Sequence, residues 1–136
     1  MQNMMCAALK ENADIVICGI ERGTDCAEFL RKKIRSEYTV IGMESAFARM
    51  YGGEWPLFIS PWNKLYRKTL FEHVRFPDGR YFEDAATINL LISASSKICV
   101  MEDEGSFYYI TPNSSSVTKR SIELQDREWA LRKRMQ

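Results

Sequence analysis

Residues 60–87 read SPWNKLYRKTLFEHVRFPDGRYFEDAAT, and this segment decides how the rest of the chain is interpreted. Residues 55–68 have neither helical nor strand periodicity, which predicts an ordered loop with a short strand. The Pro-Asp-Gly run at residues 77–79 predicts a turn, because proline presets φ and glycine can take a positive φ. Residues 83–95 begin with two acidic residues and then carry apolar residues on one face, which predicts the best-defined helix of the chain.

On both sides of this segment, apolar patterns predict alternating helices and strands. Residues 14–20 are rich in β-branched residues, which is typical of a buried strand in a parallel sheet. The helix predicted at residues 44–50 is expected to stop at the glycine pair that follows it. Further helices are predicted at residues 2–12 and 121–135, and short strands at residues 97–101 and 106–110.

Length and composition describe one globular domain without a strong net charge. The chain has 136 residues, of which 46% are hydrophobic and 27% charged, close to the averages for soluble proteins. Nineteen basic and eighteen acidic residues give a formal charge of +1, so we expect no nucleic-acid partner. Near the C-terminus, acidic residues such as Asp126 alternate with basic ones, which predicts a solvated, mixed-charge helix face.

Cysteine usage and the lack of long apolar runs predict a cytoplasmic location. The four cysteines form no CxxC pair, which favours a reducing compartment. No run approaches the roughly 20 apolar residues that cross a bilayer. Membrane association through segments outside this sequence is the alternative.

Three elements follow one another in residues 60–87: Trp-Asn-Lys-Leu-Tyr-Arg, a Phe-Pro-Asp-Gly turn and a Glu-Asp pair. This ordered combination resembles the acceptor-side, C-terminal half of the family 2 glycosyltransferases. An Ala-Asp-Ile-Val strand at residues 13–16 and an aromatic strand at residues 107–109 extend the resemblance, which covers residues 3–118. It implies an α/β fold, namely a partial GT-A-like (Rossmann-like) domain with a mixed sheet and flanking helices, lacking the N-terminal nucleotide-binding half. We take residues 1–118 as this part and residues 119–136 as a C-terminal helix.

The resemblance also implies which residues carry the reaction. Family members transfer a sugar from a nucleotide-sugar donor to a hydroxyl acceptor by inverting displacement, and by motif position Asp84 is the general base. Glu83 then orients Asp84 or contacts the acceptor. Independently, an acceptor hydroxyl needs a nearby carboxylate to take its proton, and a helix N-terminus keeps a carboxylate ionised. The structural alternative is that both residues only cap a helix.

Four more residues are candidates for substrate binding. We interpret Trp62, Asn63 and Lys64 as lining an acceptor cleft, with the indole stacked on a sugar and the amide bonded to hydroxyls. Lys64 and Arg67 have a second interpretation, as donors to a diphosphate leaving group. For Trp62 the competing explanation is burial in the core.

The sequence lacks the motifs of the donor half. No Asp-x-Asp element follows a strand, so no metal site is expected in this chain, whereas the complete enzyme is expected to use Mg²⁺ or Mn²⁺. Its partners are then a nucleotide-sugar donor and a glycan or lipid-linked acceptor, with a role in bacterial polysaccharide biosynthesis. The chain alone is expected to be inactive, since transfer needs both metal and base. We also expect a homodimer through the exposed edge where the donor half would pack.

Two other classes of function compete with this interpretation. A non-catalytic module would use the same cleft to bind a glycan or a partner protein. A hydrolase is disfavoured, because no Ser-His-Asp or Cys-His arrangement can be built around the sole histidine, His73.

Overall fold

The structure, a computed structural model, describes residues 1–31, 37–109 and 122–134. Within these ranges no helix is both long and apolar enough to cross a membrane. The longer helices are α1 (Gln2–Glu11), α2 (Met43–Arg49), α3 (Trp55–Ile59), α4 (Glu83–Ser93) and α5 (Ile122–Arg134). The strands are β1 (Ile15–Gly23), β2 (Tyr38–Ile41), β3 (Lys64–Tyr66) and β4 (Ile98–Tyr109).

The described strands form a mixed sheet in the order β2-β4-β1-β3. The central strands β1 and β4 are parallel, while β3 pairs with β1 and β2 with β4 in the antiparallel sense. A parallel pair needs a long crossover, and here the chain between β1 and β4 supplies three helices. The predicted α/β class, with a mixed sheet flanked by helices, is therefore confirmed and is consistent with a partial Rossmann-like domain.

Strand β4 differs from the two short strands that were predicted for this region. It runs without a break because β1 extends to Gly23 and pairs with it as far as Tyr109. The pairing of β1 with β4 shifts register on either side of Gly19, and these shifts accommodate the residues between the two predicted strands within one strand. At Gly105 the strands approach so closely that a Cβ atom would lie 2.7 Å from the Cβ of Cys18, and no side chain fits there.

The region predicted as an ordered loop begins instead with a helix. After α2 the chain passes through a single π-helical turn, Met50–Glu54, in which Gly53 takes a φ of 126°. Helix α3 then starts, with Pro56 in its first turn, where a missing N–H costs nothing. Glycine therefore kinks the helical segment rather than ending it. The short strand predicted after the loop is confirmed by β3.

Apolar side chains fill both faces of the sheet. On one face, buried residues of β1 and β4 pack with α2, α3, α4 and α5, and this core includes Ala130 of α5. On the other face, Val16, Cys18, Cys99 and Met101 pack against Ala7 of α1. Because α5 contributes to the main core, it is packed into the same body as α4.

Asp14, at the start of β1, joins three segments of the chain. Its Oδ1 accepts a hydrogen bond from Nε of Arg67 at 2.8 Å, and its Oδ2 accepts from the backbone N–H groups of Ser96 and Lys97 at 2.8 and 3.2 Å. Arg67 also donates to the backbone carbonyl and the side chain of Asn12. Asp14 and Arg67 thereby connect the start of β1, the end of β3 and the segment between α4 and β4.

Replacing Asp14 with asparagine should destabilise the fold by about 1–3 kcal/mol, because a charge-assisted bond is lost and an amide N–H₂ then faces donors. Urea denaturation measures this change. The matched control is Asp25→Asn, since Asp25 is exposed and accepts from one backbone N–H, that of Ala27. Asparagine serves as well as aspartate in such a role. Equal stability of the two variants would contradict the importance of Asp14.

Candidate active site

The first turn of α4 carries the two predicted catalytic carboxylates. Phe82 precedes the helix in a left-handed conformation with a φ of 59°, and Glu83 and Asp84 follow as its first residues. Oδ1 of Asp84 accepts a hydrogen bond from the backbone N–H of Ala85 at 2.6 Å. Both carboxylates are half-buried. The unpaired N–H groups at a helix start can donate hydrogen bonds to such side chains.

Asp84 lines a cavity of about 510 Å³ between α3, α4 and α5. That volume falls within the roughly 300–1,000 Å³ of small-molecule sites in proteins. Asp84 is the cavity's only acidic residue among the described ones. The lining residues are Trp55 and Ile59 of α3, Phe82, Asp84 and Ala85 at the start of α4, and Arg127, Ala130, Leu131 and Arg134 of α5.

Helix α5 binds Arg80 and Tyr81, which lie shortly before the start of α4. Asp126 accepts a hydrogen bond from Nη1 of Arg80 at 2.8 Å and another from the backbone N–H of Tyr81 at 3.1 Å. The Arg80 hydrogen bond, followed by that of Tyr81, holds the pKa of Asp126 below its usual value. The Arg80 guanidinium also lies over the ring of Trp129, 5.2 Å from its centre. These contacts fix the position of the chain segment that precedes Asp84.

The burial of Asp126 corrects the prediction of a fully solvated helix face. Its side chain is 8% exposed, whereas Glu128 and Arg132 are solvated as predicted, at 65% and 75% exposed, and form an ion pair with each other. The partner of Asp126 lies 46 residues earlier in the chain, so local charge patterning gave no signal of it.

Asn63 and Lys64 direct their polar groups into the protein. Asn63 is 1% exposed, and its Nδ2 donates to the backbone carbonyls of Cys18 and Leu57 at 2.7 and 3.1 Å. Nζ of Lys64 donates to the carbonyls of Leu57 and Ser60 and to Oδ1 of Asn63. The pair therefore joins β1, β3 and the end of α3.

Burial lowers the pKa of Lys64 to about 7, although the charges of Cys18 and Asp84 act in the opposite direction. Lys64 is not among the described residues that line the cavity.

Trp62 and Arg67 lie apart from Asp84's cavity. Trp62 is 45% exposed, and the Arg67 guanidinium is bound to Asp14, which immediately precedes β1. Among the sequence-predicted site residues, only Asp84 lines the cavity in the part of the chain that the structure describes. For five residues, contact with the substrate stays a prediction: Trp62, Asn63, Lys64, Arg67 and Glu83.

Much of the cavity wall is formed by three residues that are not predicted site residues, namely Trp55, Arg127 and Arg134. Trp55 lies where the sequence predicts a loop, and both arginines lie where it predicts a solvated helix face. Their spacing of seven residues puts both arginines on one side of a helix, which was the available signal.

Among the described residues, no group of three or more His, Cys, Asp or Glu side chains is arranged so that it could bind a metal ion.

The chain is similar to Glycosyltransferase GlyG of Streptococcus pneumoniae serotype 4, with 34% identity over 82 residues. The match covers 57% of this chain and 26% of GlyG, so it spans about a quarter of that relative's length. No protein-family profile matches the chain. The similarity supports a relationship to glycosyltransferases in general.

The lowered pKa of Lys64 predicts a pH-dependent stability. An unfolded lysine keeps its proton up to a pH of about 10.4, whereas folded Lys64 releases it near 7. Between these values the unfolded state binds more protons, so the free energy of unfolding rises with pH, by up to about 1.4 kcal/mol per pH unit.

Urea denaturation of the wild type and Lys64→Met at about pH 6.5 and about pH 9 measures this effect. The stability difference, wild type minus variant, should grow at the higher pH. Lys68→Met, at an exposed position nearby, controls for the loss of a lysine. A difference that stays constant across this range would contradict the burial of the Lys64 charge.

Proposed function

We propose that this chain supplies the acceptor side of a family 2 glycosyltransferase of the GT-A type, with Asp84 as the general base. One observation carries the proposal: a helix start presents Asp84 to a cavity large enough for a sugar. The similarity to GlyG supports the general class of enzyme.

In the proposed reaction, Asp84 takes the proton of an acceptor hydroxyl as its oxygen attacks the anomeric carbon of the donor. The new bond forms from an oxygen lone pair. The bond between the anomeric carbon and the nucleotide diphosphate breaks, and its electrons leave with the diphosphate. This displacement inverts the configuration at the anomeric carbon. Oδ1 of Asp84 is fixed by the Ala85 N–H, and this leaves Oδ2 for the acceptor hydroxyl.

The cavity walls have properties that suit a sugar acceptor. Phe82 offers aromatic surface for the apolar face of a pyranose, while Asp84 offers an acceptor for hydroxyl groups. In this proposal Glu83 orients the first turn of α4 and does not bind the acceptor, since it lies outside the cavity lining.

The remaining parts of the enzyme are proposed from the family resemblance. The donor would be a nucleotide-sugar with Mg²⁺ or Mn²⁺, and the acceptor a glycan or lipid-linked sugar in bacterial polysaccharide biosynthesis at the cytoplasmic side. A homodimer through an exposed sheet edge would use β2 or β3, the outer strands of the described sheet. No nucleic-acid partner is proposed.

A non-catalytic glycan-binding module is the second candidate function. The aromatic ring of Phe82 favours it as much as it favours an enzyme, because stacking on a sugar needs no chemistry. The two candidates differ only in the role of Asp84.

Replacing Asp84 with asparagine in the full-length protein should lower the transfer rate by about 10²–10⁴-fold, because asparagine cannot accept the proton. Transfer of radiolabelled sugar to a bacterial lipid or glycan acceptor fraction measures it. The control is Asp78→Asn, in the exposed turn before α4, which should transfer at the wild-type rate.

Thermal unfolding of both variants separates catalysis from folding, since Asp84→Asn should cost at most about 1 kcal/mol of helix capping. A folded Asp84→Asn variant with near-normal transfer would refute the proposed base. Glycan binding by a wild type that shows no transfer would favour the binding module.

A further inference from the structure

The cavity beside Asp84 carries more positive than negative charge. Arg127 and Arg134 of α5 both line it, and Asp84 is the single carboxylate among the described lining residues. The arginines are two helical turns apart, about 10.5 Å along the axis. An elongated positive wall therefore faces the start of α4.

Arg134 is held in place by aromatic rings. Its Cζ lies 4.2 Å from the ring centre of Trp55 and 5.5 Å from that of Tyr51. Its Nη2 approaches the Tyr51 hydroxyl at 3.4 Å, and Nδ2 of Asn89 donates to the same hydroxyl at 3.0 Å. Stacking on an indole fixes the plane of the guanidinium and leaves its edges available for bonding.

The Nε–H of Arg134 is a donor that the described residues leave unused. Nε is buried and has no hydrogen-bond partner there, and no ion pair joins Arg134 or Arg127 to a carboxylate in the described ranges. A buried donor without a partner costs stability, about 1–3 kcal/mol in proteins generally. Because Nε is enclosed, a ligand in the cavity would meet the other N–H groups of this stacked guanidinium, whose planar fork is suited to paired anionic oxygens.

We infer that this cavity binds a sugar bearing an anionic group, with the carboxylate or phosphate oxygens on Arg134. Arg127 adds to the positive field, and a free hydroxyl of the same sugar faces Asp84. This inference rests on the proposed function for the identity of the reacting hydroxyl. The anion contact itself depends only on the α5 wall. An acidic acceptor, either a uronic acid or a sugar phosphate, is therefore the substrate class.

Binding to the full-length protein tests this inference, measured by isothermal titration calorimetry with four probes. Methyl glucuronide and glucose 6-phosphate represent the two anionic sources, methyl glucoside is the neutral counterpart, and uridine diphosphate represents the donor's anion. We expect at least one anionic sugar to bind about tenfold more tightly than methyl glucoside, as for a charge-assisted bond. Whichever of the two shows this preference identifies the anion.

Arg134→Gln should reduce that preference to about threefold or less, while the control Arg132→Gln should keep it. Arg132 lies on the same helix but is exposed and paired with Glu128. Arg134→Lys keeps the charge without the planar fork, and should show an intermediate preference. It also provides the test if Arg134→Gln does not fold.

Equal binding of charged and neutral sugars by the wild type would overturn the inference, as would equal losses in Arg134→Gln and Arg132→Gln. A loss of binding that is confined to uridine diphosphate would overturn it too, by assigning Arg134 to the donor. Asp84→Asn separates the two proposals: it should retain or strengthen anionic-sugar binding while lowering the transfer rate about 10²–10⁴-fold. Near-normal transfer by that variant would reject the base and leave the anion contact standing.

Discussion

The buried and partly buried hydrogen bonds of Asn63 and Lys64 are the constraint on which the site's scaffold depends. Together they satisfy the carbonyls of Cys18 in β1 and of Leu57 and Ser60 at the end of α3. An α-helix leaves its last carbonyls without internal partners, and a buried helix end needs side chains to satisfy them. Because Trp55 and Ile59 of α3 form one wall of the cavity, the polar cluster under α3 also positions the site.

A second polar contact fixes the opposite wall. Asp126 of α5 binds Arg80 and the backbone of Tyr81, immediately before the turn of chain that presents Asp84. Apolar packing alone would hold α5 against α4 without defining its position along the helix axis, whereas directional bonds do define it. Two of the helices that bound the cavity, α3 and α5, are therefore each attached by partly buried hydrogen bonds, with Asp84 between them.

Local sequence patterns correctly predict those helices, strands and turns that are determined by neighbouring residues. Strand β1 follows from its β-branched run, and α4 from its acidic start and apolar face. Glycine at position 79 takes a φ of 66°, as the predicted turn requires. Asp84's position at a helix start was predictable for the same reason, because it depends on neighbouring residues only.

The features that sequence reasoning missed depend on distant partners. The unbroken β4 exists because β1 runs beside it, and the burial of Asp126 exists because Arg80 reaches it. Asn63, Lys64 and Arg67 have side chains typical of ligand contacts, and nothing local distinguishes a residue that binds substrate from one that satisfies a buried backbone group.

A crystal structure of the full-length protein with a bound acceptor sugar would test the role of Asp84 most directly. We expect an acceptor hydroxyl in the cavity between α3, α4 and α5, within about 2.6–3.2 Å of the Asp84 carboxylate. An acceptor bound in a different groove, with Asp84 beyond reach of every hydroxyl, would contradict the proposed base.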